Sequence, residues 1–230
     1  MLVPIYGWAK YSAISALISR LTFGEVREKP ETVSDARREV NPRMWSFFGA
    51  GILTVLIYIG VSLVGGIAMA ILAGGAGAIF GQNYVIIAAL LVVAVIAFLI
   101  IYIRIISRLL IVELPLAIEN NIGASSAIAR SWELTKGSVG RIQWIVFVGI
   151  LVSLPFAIIV QILATIIQLF LSRVLGTESG IYYLVSYLLI LPVSFGSSAL
   201  QTPFWQAMKA IIYYDLRSRK EGLGLQMGKR

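Results

Sequence analysis

Between Met44 and Ile103 the chain runs for sixty residues without one Lys, Arg, Asp or Glu. As a single helix that run would be about 90 Å long at 1.5 Å per residue, roughly three times the hydrocarbon thickness of a bilayer. It must therefore cross and return. Gly74-Gly75-Ala76-Gly77 through Gly81-Gln82-Asn83 is the natural reversal, because Gly and Asn supply turn conformations. That places one span near 45–72 and a second near 84–103. Two further charge-free runs, Ile142–Ser172 and Ser179–Met208, are each long enough to cross with tilt. Composition agrees: 59% of the residues are hydrophobic and 13% charged, about half the charge of a soluble domain. We expect an all-α, polytopic membrane protein of one domain (residues 1–230) with four transmembrane helices, a membrane-associated N-terminal helix and short amphipathic helices outside the bilayer.

The cations are distributed on alternate sides of those spans. Eighteen of the nineteen Lys and Arg fall in 1–43, 104–141 and 209–230, and one, Arg173, falls in 173–178. By the positive-inside rule the 104–141 loop and the C-terminus are expected in the cytoplasm, and the net charge of +8 becomes a one-sided membrane collar. Nucleic-acid binding would need a basic surface with stacking aromatics or a recognisable module, and neither is visible.

Leu2–Thr22 is apolar around a central Lys10. No basic stretch precedes it and no Ala-x-Ala site follows, so it does not read as a cleaved signal. Trp8, Tyr6 and Tyr11 suit headgroup depth, and we expect a membrane-embedded helix. A weak internal repeat, 12–73 against 98–172, points the same way. Ile18-Ser19-Arg20-Leu21 recurs as Ile106-Ser107-Arg108-Leu109, with Glu25 and Glu113 at the same distance beyond the Arg. Each copy continues into an Ala-Arg pair (Ala36-Arg37, Ala129-Arg130), a tryptophan (Trp45, Trp144) and a span. Duplication is a common way to build membrane folds.

Two amphipathic helices are expected outside the spans. One lies between Pro30 and Val40, with Thr32-x-x-Asp35 as a capping box. The other lies between Ala124 and Lys136. It puts Ala124, Ile128 and Trp132 on one face, caps with Ser125 or Ser126 and stops at Gly137. Their basic residues would meet anionic headgroups of the inner leaflet.

The segments Ala127-Ile128-Ala129-Arg130-Ser131-Trp132-Glu133-Leu134-Thr135-Lys136-Gly137 and Tyr213-Tyr214-Asp215-Leu216-Arg217-Ser218-Arg219-Lys220-Glu221-Gly222 resemble the membrane-domain family fused to some bacterial glycerophosphodiester phosphodiesterases, and its stand-alone relatives, including cyanobacterial ones. The resemblance runs from about residue 12. It implies a membrane domain of a bacterial inner (plasma) membrane, or a thylakoid membrane in a cyanobacterium. The family's phosphodiesterase activity belongs to a separate barrel with His and metal-binding carboxylates, so no catalytic residue carries over.

Chemistry is narrowly bounded. With no His and no Cys, a Ser-His-Asp triad, a Cys nucleophile, a His/Cys zinc site, an axial-His haem and a disulfide have no residues to use. No carboxylate lies within a charge-free span, which leaves an intramembrane aspartyl protease or a carboxylate proton relay without its groups. The fingerprint-like Gly75–Gly81 stretch sits between two spans and has one residue too many for a dinucleotide site. We expect no enzyme, no cofactor and no metal. Ser62, Gly66, Ala70, Gly74 and Ala78, and on the third span Gly149, Ser153 and Ala157, form small-residue stripes expected to pack helices closely, a lipid-exposed groove being the alternative. Gln161, Thr165 and Gln168 form a polar intramembrane stripe, read as interhelical hydrogen bonding or as part of a solute path. Pro155, Pro192 and Pro203 interrupt the last two spans. Arg104 and Arg108, together with Arg130 and Lys136, are candidate lipid-headgroup contacts; the first two could instead pair with Glu113. These features favour a non-enzymatic membrane scaffold or accessory subunit. Its partners would be anionic inner-leaflet lipid and a membrane protein or a second copy. The alternative is a small transporter or lipid-translocating protein using the kinked third and fourth spans.

Overall fold

The computed structural model describes residues 2–222 apart from 82 and 120, and among them every regular element is helical. In chain order these are α1 (Leu2–Val26), α2 (Val33–Val40), a single 3-10 turn (Asn41–Arg43), α3 (Met44–Phe80), α4 (Tyr84–Leu109), α5 (Glu113–Ile118), α6 (Ala124–Thr135), α7 (Val139–Leu175) and α8 (Gly180–Glu221). Four of the described helices, α3, α4, α7 and α8, are long and apolar enough to cross a membrane. The protein is an all-α membrane protein.

Helix α3 lies wholly inside its charge-free run, whereas α4, α7 and α8 continue past theirs. With 37 residues in α3 and in α7 and 42 in α8, they reach about 55–63 Å at 1.5 Å per residue, well beyond the hydrocarbon. The surplus of α8, residues 209–221, lies at one end, where with the start of α7 it joins α1, α2, α5 and α6 in a charged head. The reversal between α3 and α4 is tighter than the glycine content implies. Gly74, Gly75 and Gly77 remain helical, and only Gly81, at φ +59°, leaves the helix. On the far side Asn83 caps α4 by accepting from the Ile86 N–H at 3.4 Å. The prolines likewise stay inside continuous helices, Pro155 in α7 and Pro192 and Pro203 in α8. Each forfeits one backbone bond without ending its helix, as helices in bilayers tolerate.

The core sits in the head. One cluster joins Ala13, Ala16, Val40, Phe47, Ala50, Leu109, Leu116 and Ala127; the other joins Phe23, Leu114, Leu134, Ile142, Ala210, Tyr213 and Leu216. Helix α5 lies between them, with Leu114 facing one and Leu116 the other. This short, buried plug was not expected from the sequence. Around it the long helices touch in the cyclic order α1, α3, α4, α7, α8 and back to α1. Away from the head the helices bury little: at most 6% of residues in the most apolar stretch of any span are buried.

Helix α1 runs parallel to α8. Tyr11 shares a cleft with Gln201 and Thr202, Ser19 Oγ donates to Gln206 Oε1 at 3.0 Å, and Phe23 meets Tyr213 at 5.5 Å between ring centroids. It therefore lies beside the head-proximal half of α8, with Ala9, Ala13 and Ala16 buried. Helix α2 has the expected cap: Thr32 Oγ1 accepts from the Asp35 N–H at 3.2 Å and donates to Asp35 Oδ2 at 2.6 Å. Pro30 lies two residues before this cap rather than at the first turn. Helix α6 departs from expectation. Its N-cap is Gly123 with no side-chain bond, Ser125 and Ser126 lie inside the helix, and the buried face is Ala127, Ser131, Leu134 and Thr135. Trp132 stays 42% exposed. Gly137, at φ +83°, follows the helix end as expected.

Candidate functional site

Three features of the head and its borders could act on something outside the chain: an ion network, a cleft above the plug, and the outward faces of the spans. The network starts from Glu119, which follows α5. Its Oε1 accepts from Tyr213 Oη at 2.6 Å and from Arg130 Nε at 3.2 Å. Arg130 also contacts Glu221, and Arg217 Nε reaches Glu221 Oε2 at 2.8 Å. Thus α6 and the end of α8 are joined across the segment between α5 and α6. The same segment is held through its carbonyls, Arg43 donating to Glu119 O at 3.1 Å and Ile122 O at 2.8 Å, and Arg20 Nη1 donates to Ala117 O in the last turn of α5 at 2.9 Å. Guanidinium groups suit this work because they carry several donors in a fixed fork.

The network's protonation states follow from those contacts. Burial disfavours charge on Arg130, but Glu119 and Glu221 outweigh it and lift its pKa above the ordinary arginine value. Burial and the bond to Glu119 push the Tyr213 phenol up, so it remains a donor. Burial alone would raise Glu221, yet Arg217 and Arg130 hold it below the usual carboxylate range. Tyr213 and Glu221 lie past the charge-free run that ends at Met208.

Above the plug a cleft of about 300 Å³ opens between α1, α3 and the end of α4, with Trp8, Phe47, Thr54, Tyr58 and Leu109 in its walls. Among the described residues its charged lining residues are Glu113 and Lys209, which pair at 2.7 Å. Glu113 thus takes Lys209, not Arg104 or Arg108. That corrects the alternative in which Arg104 or Arg108 pairs with Glu113. Helix α5 turns away from α4 and aims Glu113 at α8.

The expected headgroup residues separate into two kinds. Arg104 and Lys136 are exposed. Arg108 lies over the Trp132 ring, 4.3 Å from its centroid, while its carbonyl accepts from Ser131 Oγ at 2.6 Å. Arg130 is engaged by Glu119 and Glu221, so its first role is to join α6 to α8.

The packing stripes need correction for contacts within the chain. Ser62, Gly66, Ala70, Gly74 and Ala78 all face outward, and a Cβ on Gly66 or Gly74 would meet nothing within 4 Å. The close approach is one residue over: a Cβ on Gly65 would lie 2.0 Å from Phe98 Cε2. On α7, Gly149 does pack, since its Cβ would fall 2.7 Å from Met208 Sδ. Ser153 is half-buried and bonds back to Ile150 O at 2.9 Å, and Ala157 is exposed. Gln161, Thr165 and Gln168 are exposed along α7. Thr165 Oγ1 donates to Gln161 O at 2.8 Å, and none of the three lines the cleft above the plug.

Among the described residues, no group of three or more Asp or Glu is placed to hold a metal ion. The features described above define a polytopic α-helical membrane protein whose polar side chains mostly tie its own head together. No protein-family profile, curated protein or solved structure matches this chain.

Proposed function

We propose that this chain is a non-enzymatic membrane scaffold or accessory subunit that offers the outer face of α3 to a neighbouring transmembrane helix, from a partner protein or a second copy. The observation that carries this reading is the outward stripe Ser62, Gly66, Ala70, Gly74 and Ala78. Large apolar residues flank it, with Leu63, Ile67 and Ile71 each at least 60% exposed. Within a bilayer apolar bulk gives no preference for protein over lipid, whereas a groove of small residues lets two helix backbones approach closely. The head sits on the cytoplasmic face in this reading, with Arg104, Lys136 and its other exposed cations toward anionic lipid. The resemblance of the Ala127–Gly137 and Tyr213–Gly222 segments suits a bacterial inner membrane or a thylakoid.

The test is assembly. Native mass spectrometry of protein extracted in mild detergent should find a stoichiometric partner or a homo-oligomer, and Gly66→Ile with Ala70→Ile should release it as a monomer. Assembly unchanged by both Ile residues would overturn the packing role. The second reading, a small transporter or lipid-translocating protein, draws support from the cleft above the plug. It requires that Gln161→Leu with Gln168→Leu, or loss of Lys209, abolish flux in liposomes; a scaffold would be indifferent to the two Leu residues.

A further inference from the structure

The turn after α1 is built tightly around a glycine. The Lys29 N–H donates to Gly24 O at 2.9 Å, Glu28 takes a left-handed conformation at φ 55°, and a Cβ on Gly24 would lie 2.9 Å from Lys29 O. This reversal gathers Arg20, Phe23, Arg27, Lys29 and Glu31 around a cup of about 130 Å³. Its single carboxylate is already matched: Arg20 Nε and Nη2 hold the two Glu31 oxygens at 2.8 and 3.1 Å. Arg27 and Lys29 make no salt bridge among the described residues and are the two cations of the cup without a carboxylate partner in its lining; Glu25 and Glu28 lie in the same turn outside that lining.

Arg27 is also held in place. Its guanidinium carbon lies 5.4 Å from the Phe23 ring centroid, and its Nε is buried with no hydrogen-bond partner among the described residues. A buried donor without an acceptor is costly and marks a missing water or ion. One water could satisfy the Nε–H but would leave Arg27 and Lys29 without an anion inside the cup they line. The cup has the volume of about four liquid waters, enough for a tetrahedral oxyanion, and a guanidinium beside an ammonium suits phosphate oxygens.

We propose that the Gly24–Glu31 turn is a phosphate-binding cup in which Arg27 and Lys29 hold the phosphate group of a phospholipid headgroup or of a soluble phosphate. The site is separate from the α3 face and does not depend on the scaffold reading.

The experiment uses the full chain in nanodiscs of phosphatidylcholine, titrated calorimetrically with inorganic phosphate. A parallel arm measures by native mass spectrometry whether phosphatidic acid is retained over phosphatidylcholine. Saturable binding of inorganic phosphate identifies a soluble ligand class; retention of phosphatidic acid without it identifies the headgroup. In whichever arm binds, Arg27→Gln and Lys29→Gln should each weaken binding about tenfold or more, while Arg173→Gln, exposed at the far end of α7, leaves it unchanged. Thermal unfolding without phosphate checks each variant's fold. If Arg27→Gln fails to fold, the exposed Lys29→Gln decides. No binding in either arm, or equal weakening by Arg173→Gln, overturns the proposal.

Discussion

Arg43 stands at the entry to α3 and donates to two carbonyls of the segment after α5, Glu119 O and Ile122 O. Those oxygens have no helical partner beyond α5, so a charged donor there replaces solvent. Hydrogen bonds to a charged group contribute about 1.5–3 kcal/mol each. Arg43→Ala should therefore lower stability by about 2–4 kcal/mol, allowing for partial rehydration, read as a reduced Tm in detergent. Arg43→Lys, which keeps the charge but loses the fork, should recover only part of it. A Tm unchanged by Arg43→Ala would show that water replaces both bonds without cost. Sequence reasoning counted Arg43 only as part of a basic collar. The residue types were legible; their partners were not, because Glu119 and Ile122 lie 76 and 79 positions away.

Within α3, two adjacent glycines have opposite surroundings. Gly65 faces Phe98 of α4, where an added Cβ would be 2.0 Å from the ring, and Gly66 faces open space. Gly65→Ala should cost about 1–3 kcal/mol as overpacking, unless the Phe98 ring can swing clear. Gly65→Ala with Phe98→Leu should regain part of that loss. Gly66→Ala should leave the isolated chain's stability unchanged or slightly raised, since Ala is the better helix former. Equal thermal shifts for Gly65→Ala and Gly66→Ala would contradict the α3–α4 contact. The small-residue stripe was readable from spacing, but its direction was not. Spacing of four selects a helix face, and only the neighbouring helix determines which face is inward. The error in α6 has the same origin. Of the expected apolar face, Ala124 and Ile128 pack partly buried against the core and Trp132 stays exposed, while the fully buried face is Ala127, Ser131 and Leu134, because Ser131 bonds to the Arg108 carbonyl and Leu134 fills the α5–α8 cluster.

At the scale of the whole molecule, the absence of cysteine makes topology directly measurable. Single replacements Lys136→Cys and Glu178→Cys should react with a membrane-impermeant maleimide from opposite faces, with position 136 protected in intact cells and position 178 labelled. Labelling of both from one side would overturn the proposed orientation. The number of spans and the placement of charge at one end were determined by the sequence alone. Neither a sixty-residue uncharged run nor an isolated charge has a low-energy alternative in a bilayer, because each misplaced polar group costs several kcal/mol. The location of the core was decided only by the tertiary structure. Between helices in a bilayer, apolar pattern carries no information about neighbours, since lipid and side chain are equally apolar. Where α1 lies along α8, which glycine meets an aromatic ring, and how α5 plugs the head follow from contacts between distant residues. Helical periodicity constrains those residues to faces without pairing the faces.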